Sequence, residues 1–416
     1  MPGVLEMDKL KDTYLVFLTA GEVPMPNNLI ASQVLKLADN INKAMVFEEV
    51  AYVGLVPLRS MIKRLLLGKR LEFTFLSKFG INTKIGYTLF AGSGFFEFLV
   101  KDIGAKIDAN KVIKMLELEK KSSIIFHCRS YYATQVAIVI KEMLPPQDIK
   151  ILFDMRSLLP PEFFFTMGRW GGLLYARAKE WERWLLINSD LALMTTRGGI
   201  ELLRLENPSA KINYIPVIGL DIIHIPEADQ LFEGRWKNKK VAYIGSVGSW
   251  HSVDMVKKVL LYCKKNVEGA IIEIITNRSL PPIDGIPNRS IPHRDIADYY
   301  KNLLALVVPG RKVDSYFESV QLNINLFSTK AAEAISAGVP LIVNEDINEL
   351  AQFVKIHECG IVFRIKDDKI VLVNCTNSEL NDGNFWLKIT SNTIAVSKEF
   401  VFASTMKKYL NYYESL

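Results

Sequence analysis

The stretch STKAAEAISAGVPLIVN, residues 328–344, decides how this chain is read. Ser328 or Thr329 is placed to cap a first helical turn, where free backbone N–H groups and the helix dipole together attract an anion. Lys330 puts a full positive charge at a helix start, where the dipole alone favours an acid. A negatively charged ligand reconciles the two, and the segment reads as a phosphate seat. Glu333 lies one turn further on, where its carboxylate can accept hydrogen bonds from a sugar's hydroxyls while Lys330 and the amides hold phosphate. Gly338 and Pro340 then stop the helix, and LIVN begins a strand. The plainer alternative makes Glu333 the acidic member of a capping box and Lys330 a solvated surface lysine.

Outward from this stretch the same rhythm recurs. YLVFLTA (14–20), SSIIFHC (122–128) and IKILFDM (149–155) are apolar, β-branched runs followed by polar loops and helix-like stretches. A second series, KVAYIGS, AIIEIIT, LLALVVP, PLIVN and GIVFR, starts at residue 240 and alternates with helical patterns such as SVDMVKKVLLYCKK (252–265). This alternation predicts parallel strands joined by helical crossovers, in two doubly wound α/β domains. Proline, glycine and charged residues interrupt both periodicities between 212 and 240. The expected division is therefore 1–222, 223–395, and a closing amphipathic helix over 396–416 that packs back toward the first domain.

Composition agrees with large soluble cores: 416 residues, 49% hydrophobic and 23% charged. The first residues carry acids before a short apolar run, unlike a secretion signal, and no run approaches the ~20 apolar residues of a spanning helix. Cys128, Cys263, Cys359 and Cys375 show no CxxC spacing, which points to reduced thiols in a cytoplasm. Gly92 and Gly94 form a GxG without its third glycine or following acid, a poor dinucleotide site. YIGSVGSW (243–250) ends a strand in a glycine-bearing loop that lets a ligand approach the backbone at Gly245.

Taken in order, ASQVL (31–35), HCRSYYAT (127–134), FDMRSLLPPE (153–162), ARAKEWERWLLINSDLALMTT (176–196), IPVIGLD (215–221), YIGSVGSW and STKAAEAISAGVPLIVN resemble the retaining glycosyltransferases of family 4. The resemblance spans most of the chain and implies the GT-B fold, two Rossmann-like doubly wound domains facing across a cleft. It implies a nucleotide-diphosphate sugar on the C-terminal domain and a glycan or lipid-linked acceptor on the N-terminal one. Glu333 would then hold the donor ribose, with Gly245, Ser246, Ser328, Thr329 and Lys330 toward the pyrophosphate. Ser32, Gln33 and Arg129 fall in the segments expected to meet the acceptor.

The chain departs from the family pattern. Many members have two glutamates in the EX7E spacing, and Asn325 stands at the first of them. Many have an arginine and then a lysine in the glycine loop, where this chain has Ser246 and His251. Lys330, with Arg311 as a second candidate, is left to neutralise the leaving group. Asp154 stands where relatives have a histidine, and Asp154, Arg156 and His127 sit at strand ends, where α/β sheets bind ligands. A structural Asp–Arg pair and a satisfied structural histidine are the alternatives there. Glu162, after two prolines, is expected to cap the helix that follows it, the alternative being a reach into the cleft.

In this family the acceptor attacks on the face the leaving group departs from, so donor phosphate takes the proton and no dedicated base is needed. The protein must then stabilise the departing diphosphate electrostatically. No DxD triplet occurs, so neither a metal nor another cofactor is expected. Residues 57–73, PLRSMIKRLLLGKRLEF, combine Arg59, Lys63, Arg64, Lys69 and Arg70 with an apolar stripe and read as a peripheral contact with an anionic membrane at its cytoplasmic face. Residues 161–179 read as an extension of that surface. Basic residues do not alternate with aromatics as in a nucleic-acid binder. Two other readings of the chain are a non-catalytic partner subunit and a GT-B-fold sugar-nucleotide epimerase.

Overall fold

Tyr14–Ala20 (β1) is buried at all seven of its positions, so it fits only inside a sheet covered on both faces. A computed structural model describes residues 10–26, 28–66, 73–91, 98–162, 169–221, 227–248, 250–276, 285–292, 295–312 and 327–416. Among these residues β1 joins Glu49–Pro57 (β2), Asn82–Thr88 (β3), Ser123–Arg129 (β4), Asp148–Asp154 (β5), Leu191–Met194 (β6) and Ile212–Tyr214 (β7). The order is β3-β2-β1-β4-β5-β6-β7, with every pair parallel.

The second sheet repeats this winding. Lys240–Ile244 (β8), Ile271–Ile275 (β9), Asn288–Arg289 (β10), Ala305–Val308 (β11), Leu341–Asn344 (β12), Gly360–Lys366 (β13) and Lys369–Leu372 (β14) lie in the order β10-β9-β8-β11-β12-β13-β14. Only the β13–β14 pair is antiparallel. Alternate residues feed separate cores, Ala242 and Ile244 entering one and Val241 and Tyr243 the other, as a two-faced buried sheet requires. Two Rossmann-like α/β units result.

Unit 1 comprises residues 1–195, 199–215 and 408–416; unit 2 comprises 196–198 and 216–407. The tail read as one helix over 396–416 is divided. Residues 396 and 397 end the helix Gly383–Ser397, and the last helix runs Phe402–Glu414. None of the four cysteines is in a disulfide; Cys128, Cys263 and Cys359 are buried. No described helix is long and apolar enough to cross a membrane. Gly92 and Gly94 lie outside the described residues.

One close approach fixes the middle of the second sheet. A Cβ on Gly360 would stand 2.2 Å from the Leu341 carbonyl oxygen, on the paired strand. Backbone cannot yield there as a side-chain end can. Gly360→Ala is expected to cost about 3 kcal/mol or more of unit 2 stability, read as a lower urea midpoint of that unit's transition.

Candidate functional site

An open α/β sheet binds ligands beyond its strand carboxyl ends, where the strand order reverses. In unit 2 the reversal lies between β8 and β11. Gly245 follows β8 at φ 143°, and its N–H is held by the Ile275 carbonyl at 2.9 Å. The Tyr243 hydroxyl donates to the Ser246 carbonyl at 2.8 Å, which sets the loop's course. Across the reversal, Gly310 takes φ 65° and donates its N–H to His251 Nδ1 at 3.1 Å. His251 accepts there through a bare ring nitrogen, and burial pushes its pKa down to about 4. It therefore supplies no positive charge near neutral pH. Arg311, next in the chain, donates to the Lys312 carbonyl at 3.4 Å.

The helix Thr329–Ser336 starts beside this loop, since a Cβ on Gly245 would come within 3.9 Å of Lys330 Cγ. Ser328 is its cap, accepting from the Ala331 N–H at 3.1 Å. Thr329 and Lys330 occupy the first turn, where a helix has no acceptor of its own for its N–H groups. The third helical residue is Ala331, so Glu333 sits too far along to close a capping box, and that reading is excluded. Instead its Oε2 accepts from Lys330 Nζ at 3.0 Å and from the Tyr300 hydroxyl at 3.3 Å. Lys330 is about one-third exposed and ion-paired rather than freely solvated. At the other helix end Arg235, 0% exposed, donates to the carbonyls of Ala337 (2.9 Å), Gly338 (2.5 Å) and Lys301 (3.1 Å).

In unit 1 the reversal lies between β1 and β4. Ala20 and Gly21, with Arg129 and Ser130, open there onto a cavity of about 390 Å³. Arg59, Lys101 and Arg156 and the rings of Phe98, Tyr131, Tyr132 and Trp181 also wall it. Ser130, at φ 103°, caps the helix Tyr131–Met143, so that helix begins in the cavity wall. Arg129 Nη1 donates to Gln33 Oε1 at 3.2 Å, and Ser32 donates its hydroxyl to the Asn28 carbonyl. Glu162 lies in a helical stretch already under way at 159 and lines the cavity; the residues that follow it, 163–168, lie outside the described residues.

Register brings the other sequence candidates together. Arg129 pairs with Asp154 across β4 and β5, and strand alternation puts His127 on the same face. Asp154 Oδ2 lies 3.2 Å from His127 Nε2 and accepts from Arg156 Nε at 2.9 Å and the Tyr409 hydroxyl at 3.2 Å. Tyr413 closes the chain of bonds at 2.6 Å from His127 Nδ1. Burial pushes the Asp154 carboxyl up, but Arg156, then His127 and Arg129, outweigh it and hold it well below the usual carboxylate range. An ionised Asp154 only accepts, so Nε2 carries the imidazole proton and Nδ1 accepts from Tyr413. Burial likewise keeps His127 neutral by lowering its pKa. Arg156 takes φ 63°, fixed by its guanidinium on Asp154 and by Thr195 Oγ1 on its carbonyl. His127 and Asp154 are 3% and 1% exposed, which places them behind the cavity wall, whereas Arg129 and Arg156 reach the cavity.

No protein-family model matches this sequence, and no curated protein matches it. Among solved structures it is similar to sucrose-phosphate synthase from Thermosynechococcus elongatus, at 13% identity over 97% of this chain and 99% of that one, with TM-score 0.62. The fold is GT-B. It is also similar to a glycosyltransferase from Rickettsia africae (12%, 97% and 98% covered, TM-score 0.57). Phytolacca americana UGT2 complexed with UDP-2-fluoro-glucose and pterostilbene matches at 11%, with 98% and 99% covered and TM-score 0.56.

Of the candidates in unit 2, Gly245, Ser246, His251, Ser328, Thr329, Lys330 and Glu333 gather at the reversal, and Arg311 adjoins Gly310. Asn325 lies outside the described residues. Among those residues no group of three or more His, Cys, Asp or Glu side chains is arranged to hold a metal ion. Sequence reasoning missed Tyr243, Tyr300 and Gly310 in unit 2, and Lys101, Trp181, Tyr409 and Tyr413 in unit 1. The i, i+4 spacing of Tyr409 and Tyr413 was the one available signal for the last pair.

The His251 bond gives a signed pH dependence. Between the ordinary value of 6.5 and about 4 the unfolded chain takes up a proton that the folded ring refuses. Stability is therefore full above pH 6.5 and falls as pH drops toward 4, by about 3 kcal/mol at most. Urea unfolding at a series of pH values should show this slope, and His251→Gln should flatten it.

Proposed function

We propose that this chain is a retaining glycosyltransferase, moving a sugar from a nucleotide-diphosphate sugar to a glycan or lipid-linked acceptor in the synthesis of cell-surface polysaccharide or glycoconjugate. One observation carries the reading: a Ser-capped helix start bearing Lys330, with the Glu333 carboxylate one turn on, stands beside the Gly245 loop at the strand-order reversal of unit 2. That is an anion seat next to a hydroxyl acceptor, which is the chemistry of a nucleoside diphosphate. Its diphosphate would rest on the N–H groups of the first turn and on the ammonium of Lys330, whose further donors remain after Glu333 takes one. Glu333, oriented by Lys330 and Tyr300, would accept from the ribose hydroxyls. Since His251 is neutral, Lys330 with Arg311 would carry the charge compensation as the diphosphate leaves.

The retaining course is supported by the state of the unit 1 groups. His127 and Asp154 are bonded to each other and to two tyrosines and are buried behind the cavity wall, so neither is placed to deprotonate an acceptor. Arg129 and Arg156 would meet the acceptor, with Asp154 and His127 positioning Arg156, and Gln33 positioning Arg129. No metal is assigned a role.

A thermal-shift screen against uridine, guanosine, cytidine and adenosine diphosphates tests the seat. The matching nucleotide at ~1,000 times its dissociation constant should stabilise unit 2 by about 4 kcal/mol. Lys330→Ala and Glu333→Ala should each weaken binding by about 10-fold or more. With the matching nucleotide sugar and an acceptor, turnover should persist in excess EDTA and give a product of the donor's anomeric configuration by NMR. No shift with any of the four nucleotides would remove the transferase reading.

Membrane contact is part of the proposal. Within the 57–73 segment, Leu58–Leu66 is a helix with no buried residue; residues 67–72, Lys69 and Arg70 among them, lie outside the described residues. Leu66 is 83% exposed, with Ile62 and Leu65 about half exposed, on the helix that carries Arg59, Lys63 and Arg64. Such a helix suits the headgroup region of an anionic bilayer at the inner face of a cell membrane. The chain should float with vesicles containing phosphatidylglycerol at low salt, and Leu65→Asp with Leu66→Asp should leave it at the bottom of the gradient. Failure of the unaltered chain to float removes this part of the reading.

A further inference from the structure

Arg129 and Arg156 of the unit 1 cavity go to the acceptor in the reading above, which does not name the acceptor group they meet. Four cations line the cavity, Arg59, Lys101, Arg129 and Arg156, against the carboxylates of Glu22 and Glu162. The cations hold different partners. Arg156 lies on Asp154 Oδ2, which His127 and Tyr409 share. Lys101 pairs with the exposed Asp102 at 3.0 Å, and its ammonium stands 5.5 Å from the ring centres of both Phe98 and Trp181. Arg129 is 7% exposed, yet among the described residues its one ion pair is to the half-exposed Glu22, at 4.0 Å. Burial and the neighbouring Arg156 both disfavour the charge on Arg129. A buried guanidinium so placed favours an anion at its side.

Two further features point the same way. The helix Tyr131–Met143 begins in the cavity wall, so the N–H groups of Tyr131 and Tyr132, both wall residues, stand in a first turn with no internal acceptor. Behind the wall, Gln33 is 4% exposed and gives its Oε1 to Arg129, which orients the guanidinium, and its buried Nε2 has no acceptor among the described residues. Cationic side chains and helix-end amides thus face one cavity, and an anionic oxygen group suits both. The elements that send Arg59 and Lys101 to the cavity also carry exposed apolar residues: Ile62, Leu65 and Leu66 on one, and Leu99, Ile103 and Ile107 on or beside the other.

We propose that this cavity seats a phosphate ester of the acceptor, held by Arg129, Arg156 and Lys101 against the amino end of the Tyr131–Met143 helix. The term acceptor rests on the transferase reading; the phosphate site itself does not. Aromatic rings around the phosphate give the attached sugar faces to stack on. A lipid phosphate would lay its chain along the exposed apolar residues, whereas a soluble sugar phosphate would use the cavity alone.

The test uses the full chain and the fluorescence of Trp181, taken as the difference between the unaltered protein and Trp181→Phe. Dihexanoyl phosphatidic acid, inorganic phosphate and dihexanoylglycerol are the probes. Both phosphate probes should change the signal saturably, dihexanoylglycerol should not, and Arg129→Gln and Lys101→Gln should each weaken the phosphate response about 10-fold or more. Phosphatidic acid binding at least about 10-fold more tightly than inorganic phosphate identifies a lipid phosphate, and equal binding a soluble phosphate ester. The proposal is overturned if neither anion changes the signal, if dihexanoylglycerol matches phosphatidic acid, or if both variants, folded by circular dichroism, respond like the unaltered chain. Nucleoside diphosphates should still stabilise unit 2 in Arg129→Gln. Absence of that stabilisation in every form of the chain would sink the transferase reading and leave the phosphate site standing.

Discussion

A parallel strand covered on both faces has no side chain free for chemistry along its length, and this constraint governs the whole molecule. Helical crossovers bury both faces of each sheet, so polar groups can meet a ligand only past the strand ends. Both sheets wind in the same order and reverse once, beside β1 and β4 in unit 1 and beside β8 and β11 in unit 2. The cavity and the helix seat each lie at such a reversal. Glycines at 21, 245 and 310 all adopt positive φ just past strand ends there, where the chain turns and a side chain would crowd the opening.

The two units treat buried charge differently. Unit 1 balances cations against Asp154 and adds neutral tyrosine and histidine bonds, so its charged groups hold one another in fixed directions. Unit 2 places Arg235 at the end of the Thr329–Ser336 helix with backbone carbonyls as partners, and burial lowers its pKa to about 10. A guanidinium suits that position because its planar fork spans several carbonyls at once, which a lysine cannot do. The helix that presents Lys330 at one end is thereby fastened at the other.

The central strands were legible because burial on both faces forces long apolar runs such as YLVFLTA and IKILFDM. Edge strands were harder to see. Asn82–Thr88 is largely half-buried or exposed, and Lys369–Leu372 is only partly buried, so neither shows such a run. The Ser328 cap and the Lys330–Glu333 neighbourhood could be read locally, since helical spacing alone brings those residues together. The cluster around Asp154 could not, because it depends on a strand register and on tyrosines some 250 residues further along the chain. His251 shows the same limit: its partner is a backbone N–H at Gly310, which carries no sequence signature.

Residues 408–416 belong to unit 1 although all but a few residues of unit 2 separate them from the rest of it. Tyr409 and Tyr413, which bond Asp154 Oδ2 and His127 Nδ1, come from that segment. During synthesis, the first sheet leaves the ribosome with two buried-site polar groups still uncovered, and their partners arrive only after the second sheet has been made. Completion of the first unit is thus timed by translation of the other, and a chain interrupted within unit 2 would leave unit 1 with an open polar seam.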